Sequence, residues 1–388
     1  MSELLNGRWA ETKEALLEGL QGTKRSVMGV TLENTRKYLI ESPTAGATSA
    51  GNVATLNRVI LPVIRRVMPT VIANELVGVQ PMTGPVGQIH TLRVRYADSS
   101  SGAGVVAGEE ALSPFKIAEA YSGNEASPAK AASTATLEGQ AGKRMSIQIL
   151  KQTVEAKTRK LSARWTFEAA QDAQAQQGID IEAEVMAALA QEITAEIDQE
   201  ILASLLSLAG TAVESFDQNA VSGTATFVGD EHAALAVQIN RVSNLIAQRT
   251  RRGAGNWAVV SPYALTILQS ATTSAFARTT EGTFEAPTNT KLVGTLNNAM
   301  KVYVNTYATD TTDILIGYKG SSESDAAAFY CPYIPLMSSG VVLDPSTFEP
   351  VVSFMTRYGY VELTNTASSL GNAADYLGRI SLSNVSFK

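Results

Sequence analysis

Apolar positions along the chain fall into two repeating registers, and the places where one gives way to the other divide it. From Ile181 a row recurs at every fourth residue (Ile181, Val185, Leu189, Ile193, Ile197, Ile201, Leu205) and stops before Gly210. That spacing predicts a helix over 181–209, roughly 40 Å long at about 1.5 Å per residue. A second row, Glu192, Glu196 and Glu200, shares the spacing. Like charges four residues apart repel, so water or a cationic neighbour must accommodate them. A sparser stripe (Leu5, Trp9, Thr12, Leu16, Leu20) predicts helix within residues 1–41, and Gly19, Gly22 and Gly29 predict a break into two or three short pieces. Such a stripe serves either a helix on its own small core or a segment that docks on a partner.

Alternation of period two begins at Gln88. Ile89, Thr91, Arg93 and Arg95 would face one way and His90, Leu92, Val94 and Tyr96 the other. It returns over 145–150 and 158–166. Between lies 98–142, a Gly/Ala/Ser-rich stretch with Pro114 and Pro128, read as a long loop. Together these predict an extended two- or three-stranded arm with a mobile tip. Just upstream, Pro81, Gly84, Pro85 and Gly87 place two tight turns. Residues 42–56 are small and uncharged, as in a linker, and 57–77, broken by Pro62 and Pro69, predict short helical turns.

Downstream, a polar stretch runs to Gly229, and a helix over 233–251 ends at Arg249, Arg251, Arg252 and Gly253. Strands are expected at 257–260, 301–305, 313–318, 328–330, 334–337 and 350–362, with a helix starting at Ser261-Pro262. Helices and strands mix without regular βα alternation, so the class is α+β.

Composition narrows the chemistry. At 388 residues, with 45% hydrophobic and 18% charged positions, the chain suits two or three folded units. No apolar run is long enough to span a bilayer and no basic-then-apolar leader opens the sequence, so no membrane role is expected. One cysteine, Cys331, excludes an intrachain disulfide and a thiolate zinc site, and suits a reducing cytoplasm. His90 and His232 are too few for a histidine-rich metal centre. No nucleophile elbow, phosphate-binding loop or metalloprotease helix occurs. Glu192, Glu196, Glu200 and Asp198 could imitate paired acids or oxygen ligands, but such a row is more often a solvated or salt-bridged helix face. The expectation is therefore no enzyme, no metal and no cofactor. Arg249, Arg251 and Arg252 could touch nucleic acid, but capping a helix is the plainer account.

Net charge is −6, which argues against a dedicated nucleic-acid binder, yet the charge is segregated. Lys143, Arg144, Lys151, Lys157, Arg159, Lys160 and Arg164 cluster against the single acid Glu155, whereas 165–240 has thirteen Asp and Glu and no Lys or Arg. Such blocks can pair within a chain or between copies of it.

Several short strings in order resemble the T4-like tailed-phage major capsid protein family. They are Glu3-Leu4-Leu5-Asn6 with Trp9, Arg65-Arg66-Val67-Met68-Pro69, Gly78-Val79-Gln80-Pro81-Met82, Gly253-Ala254-Gly255-Asn256, Gly317-Tyr318-Lys319-Gly320, Tyr330-Cys331-Pro332-Tyr333 and Thr356-Arg357-Tyr358-Gly359. The resemblance implies the HK97-like capsid fold. It divides the chain into a scaffold-type propeptide segment (1–41), an N-arm and linker (42–83) and an E-loop arm over a neighbouring subunit (84–166). A peripheral-domain spine helix (167–210), a mainly axial domain (211–345) and returning C-terminal strands (346–388) follow. At 98–142 the arm is too short for the insertion domain that some relatives carry there.

The implied function is a subunit of the icosahedral head, in hexameric capsomers of the virion, with pentamers made either by this chain or by a separate protein, assembled in the host cytoplasm. Implied partners are further copies, a scaffold protein, a prohead protease, portal and vertex or decoration proteins, and packaged DNA without sequence preference. An encapsulin-like compartment is the alternative on the same fold. The family's protease cuts after Glu with Leu or Ile two residues earlier, which Leu39-Ile40-Glu41 before Ser42 matches; Leu16-Leu17-Glu18 matches too but lies within expected helix. On this reading Lys151, Lys157, Arg159, Lys160 and Arg164 form a basic arm facing the acidic spine row Glu192, Glu196 and Glu200 of an adjacent copy.

Overall fold

The computed structural model describes residues 9–10, 13–14, 16–18, 20–41, 71–100, 104–109, 111, 121–123, 131–139, 141–177, 180–218, 228–250, 252–271, 276–278, 291–297, 299–308, 313–321, 325–347, 349–363 and 373–384. In chain order the helices are α1 (Gly22–Glu41), α2 (Ala73–Leu76), α3 (Thr134–Leu137), α4 (Phe167–Gln177), α5 (Ile181–Leu208), α6 (Val228–Thr250) and α7 (Pro262–Ser270). The first seven strands are β1 (Gly78–Val79), β2 (Val86–Tyr96), β3 (Met145–Glu155), β4 (Lys157–Arg164), β5 (Glu214–Asp217), β6 (Trp257–Val260) and β7 (Phe276–Arg278). The others are β8 (Lys291–Leu296), β9 (Met300–Val304), β10 (Ile314–Gly317), β11 (Ala328–Ser338), β12 (Val342–Leu343), β13 (Pro350–Glu362) and β14 (Leu377–Ser383). The α+β class is as expected. Two units result: 1–87, 154–204 and 328–361 in one, and 88–153, 205–327 and 362–388 in the other.

The first unit opens on a helical hairpin in which Trp9, Leu16, Leu17, Met28 and Leu32 bury one another. Gly22 makes the turn at φ 60°, in the left-handed region that favours glycine. Gly29 was expected to interrupt the helix and does not. One mid-helix glycine costs only about 1 kcal/mol, less than burying Met28 and Leu32 on either side returns. Next comes a five-stranded sheet. β11 pairs with β1 in parallel (Gly78↔Phe329, Val79↔Tyr330) and neighbours β13, which also carries β12 and β4 antiparallel. Residues 328–330 and 334–337, expected as separate strands, are one, because the carbonyl of Pro332 accepts from Met82 N–H at 3.0 Å and keeps the edge occupied. The long helix α5 spans 28 residues, as its spacing predicts. Ile193, Ile197 and Ile201 are buried along it, with Ala190, Thr194, Asp198 and Leu202 as a second buried row alongside.

β4 departs from expectation. Its alternation was assigned to the arm, but it pairs with β13 from Val351↔Arg164 to Tyr358↔Lys157. Period-two patterning says that a strand has two faces and not which strand lies beside it.

The second unit is built on a seven-stranded mixed sheet, β5-β14-β10-β6-β9-β8-β7. The pairs β5–β14 and β6–β9 are parallel, and β14–β10, β10–β6, β9–β8 and β8–β7 are antiparallel. α6 and α7 cover it, and Phe216, Leu235, Ile239, Ile246, Val302 and Ile316 are fully buried between the layers. Ser261 caps α7 by accepting from Ala264 N–H at 3.2 Å, just before Pro262. The polar stretch 211–229 hides β5, which the parallel pairing with β14 creates.

β2 and β3 form a separate two-stranded ribbon. β2 starts at Val86, earlier than its alternation suggests. Where it ends, the expected featureless tip has a core of its own: Tyr96, Val105, Ala111 and Tyr121 are buried together, with the two tyrosine rings 4.6 Å apart. Tyr121 Oη donates to Arg144 O at 2.6 Å and Arg144 pairs with Asp98 at 3.3 Å.

Candidate assembly surfaces

The acidic row on α5 finds its cation within the same chain. β4 turns Arg159, Leu161 and Ala163 inward at alternate positions and leaves Lys160, Ser162 and Arg164 outward. Arg159 therefore meets α5. Its Nη1 lies 2.6 Å from Glu196, its Nη2 bonds Glu200, and its Nε donates to Tyr358 Oη at 2.6 Å. Tyr358 Oη in turn donates to Glu200, closing the network. Burial pulls the Arg159 pKa down, but hydrogen bonds to Glu200 and Tyr358 outweigh it and the net shift is upward. For Glu200 the balance is the mirror image. Burial raises its carboxyl, Arg159 and Tyr358 hold it down, and the net is a lowered pKa. The guanidinium serves two carboxylates and a phenol at once from donors fixed in one plane, a geometry that lysine's compact ammonium does not pre-set.

Arg159, expected to face an adjacent copy, thus has carboxylate partners within its own chain. Arg164 is also directed within the chain, 3.9 Å from Glu349, although it is largely exposed. Lys151, Lys157, Lys160 and Glu192 are exposed.

Asp198, a candidate acid alongside the Glu row, lies on the other side of α5. Two residues from Glu196 or Glu200 on a helix is the opposite side, and Asp198 is only 1% exposed. Its Oδ1 accepts Ile72 N–H at 2.8 Å, while Oδ2 has no hydrogen-bond partner among the described residues. Burial pushes its pKa up to about 7, against the lowering effect of the Ile72 bond. The row Ala190–Thr194–Asp198–Leu202 is the signal in the sequence that could have placed it inside.

Ile72 opens the turn-rich segment. After α2 and β1, Gln80 N–H bonds Tyr330 O and Met82 N–H bonds Pro332 O, each at 3.0 Å. Pro85 O then accepts from Ala156 N–H at 2.9 Å where β3 ends. Gly359 of β13 sits against this root: a Cβ there would lie 2.6 Å from Val154 Cγ2 and 3.4 Å from Met82 Sδ, so only glycine fits without displacement.

Farther along β3, Met145, Ile147 and Ile149 occupy alternate positions and are 52%, 68% and 67% exposed, an apolar row open to solvent. The remaining candidates are quiet. Leu39, Ile40 and Glu41 form the last turn of α1, and Ser42 lies outside the described residues, as does Arg251. Cys331 is buried, which raises its thiol to about 11. His232 is buried, with Nδ1 sharing a 2.6 Å hydrogen bond with Ser270 Oγ; burial lowers its pKa, against the opposing pull of Glu231. Arg252 pairs with Asp325 at 2.6 Å. Among the described residues no group of His, Cys, Asp or Glu could hold a metal, and no helix is long and apolar enough to cross a membrane.

The family model described as Major capsid protein Gp23 matches residues 53–141 and 115–382. The chain is 30% identical to the major capsid protein of Vibrio phage KVP40 over 85% of its own length and 81% of that protein. It is also 30% identical to the major capsid protein of Enterobacteria phage T4, over 81% of this chain and 76% of that one. Among solved structures, a chain from Microbacterium phage Oxtober96 is 11% identical, with 80% of this chain and 90% of that one covered and a TM-score of 0.48.

Proposed function

The chain belongs to the Gp23 major capsid protein family, and on that premise we propose how its parts divide the work of a tailed-phage shell. It is a major capsid protein, located in the virion capsid, and copies of it form the shell. The family is a structural one, and it favours a phage head over an encapsulin-like compartment. We read the parts as HK97-like: ribbon β2–β3 is the E-loop, α5 the spine helix of a peripheral domain, and the seven-stranded unit the axial domain. The arm on this reading is 86–155, shorter than its alternation suggested.

One observation carries the arm reading: the row Met145, Ile147 and Ile149 is apolar and exposed on a two-stranded ribbon. An isolated ribbon is marginal in water until one face is covered, and in a shell the cover is a second copy. Lys151, Lys157 and Lys160 are exposed and are read as facing a neighbour, although Lys157 also acts on Glu200 of its own chain; each exposed pair would contribute about 0–1 kcal/mol. Ile147→Asp with Ile149→Asp should leave subunit unfolding unchanged and abolish shells seen by electron microscopy. Lys151, Lys157 and Lys160 all changed to Glu should weaken assembly less, and mainly at low salt. Shells formed at normal yield by the Ile variant would sink the arm reading.

Residues 1–41 are read as a segment used in assembly with a scaffold protein and removed by a prohead protease after Glu41. Portal, vertex or decoration proteins and non-specifically held DNA complete the partners, and assembly takes place in the host cytoplasm. The mass of subunits from mature particles tests the cut: a subunit retaining residues 1–41 eliminates it.

A further inference from the structure

We infer that the N-terminal helical hairpin is an intramolecular clamp on the root of the ribbon, with Asn34 as the side chain that closes it. The root is lightly tied by its own backbone. β1 has two residues, and its seam with β11 continues through the Gln80 and Met82 N–H bonds described above. Asn34, 5% exposed, donates its Nδ2 amide to Met82 O at 2.6 Å and to Tyr333 O at 3.0 Å. Its side chain thus supplies a further rung across both segments, at the end of the seam from which β2 departs. At the other end Lys24 Nζ reaches Glu75 Oε1 at 2.7 Å. Between these points α1 lies along β11, with Val27, Met28 and Leu32 buried.

The chemistry of the rung is specific to an amide. Both partners are carbonyls, so the side chain must donate twice, and aspartate would face them with two acceptors. Buried carbonyls left without donors are costly, so loss of the rung favours opening of the seam. The effect passes into the ribbon through Met82. Met82 lies close to Gly87 at the start of β2 and to Gly359 of β13: a Cβ at either would come within 3.6 Å and 3.4 Å of its side chain. Without the hairpin the root would keep only its short backbone seam. Use of this weakening during maturation rests on the proposed cut at Glu41; the clamp itself does not.

The test is amide hydrogen exchange, read peptide by peptide on the full chain as isolated subunits, so it depends on neither shells nor cleavage. Asn34→Asp should speed exchange across 78–90 by roughly tenfold or more, while peptides covering 257–260 and 314–317 keep their rates. Lys24→Ala, an exposed change that leaves the core intact, should speed exchange over 73–79 two- to threefold. Should Asn34→Asp fail to fold, the Lys24 variant decides alone. Unchanged protection of 73–90 in every folded variant overturns the clamp.

Discussion

The two larger sheets place their polar ties differently. The seven-stranded sheet closes on an apolar core in which Phe216, Ile239, Ile246, Val302, Ile314 and Ile316 are wholly buried. Its polar ties join neighbouring strand ends and loops: Arg379 to Asp313, Arg252 to Asp325 and Asn256 to Lys319. In the five-stranded sheet, which also has apolar cover, they join helices and turns to the rest: Arg159 ties β4 to α5, Asp198 ties α5 to Ile72, and Asn34 ties α1 to both Met82 and Tyr333. Apolar burial is non-directional and large in sum. Hydrogen bonds contribute little net but impose geometry, and they are expensive to leave unmade.

The largest effect should fall on the apolar side. Phe216→Ala removes a ring from a fully buried position and should cost about 3–5 kcal/mol in urea unfolding. Hydrogen exchange should loosen over 257–260 and 314–317 and leave 193–202 protected; equal loosening everywhere would mean that the contrast between the regions is false.

Asp198→Asn comes next and is read through pH. The folded pKa of Asp198 is raised to about 7, so between about pH 4 and 7 the native state binds more protons than the unfolded state. Stability is therefore lost as pH rises through that window. Asparagine keeps the acceptor for Ile72 and carries no charge. Relative to the native chain, the variant should gain about 2–3 kcal/mol between pH 5 and pH 8, since each pKa unit is worth about 1.4 kcal/mol. Parallel stability curves for the two proteins across that range would contradict the burial argument.

Arg159→Ala should be smaller, about 1–2 kcal/mol at neutral pH, because the cluster is part-exposed and solvent screens it. Its pH sign is opposite. Glu200 has a lowered pKa, so its contribution is present above the ordinary carboxylate range and fades as pH falls through the folded value. A penalty that persisted undiminished in acid would assign Arg159 a packing role instead.

What could be read from the sequence follows the same divide. α5 declared itself through an unbroken i+4 row, and β6 and β13 through length and β-branched or aromatic content. β5 and β14 did not, since their pairing joins residues that are far apart in the chain. The charges of Arg159 and Glu200 were legible as blocks. Whether they met within one chain or between two depended on β4 choosing β13, which no local pattern encodes. Asp198 and Asn34 escaped because a buried polar residue differs from an exposed one only by its phase on a helix.

The position of Glu41 carries one more consequence. Proteases bind extended backbone, yet Leu39-Ile40-Glu41 is the last turn of α1, and the rival Leu16-Leu17-Glu18 has both leucines in the hairpin core. End turns fray in nanoseconds to microseconds, whereas core residues open only with their whole unit. For the proposed cut, discrimination between the two matching tripeptides would then be kinetic, the protease taking whichever site spends more time unwound.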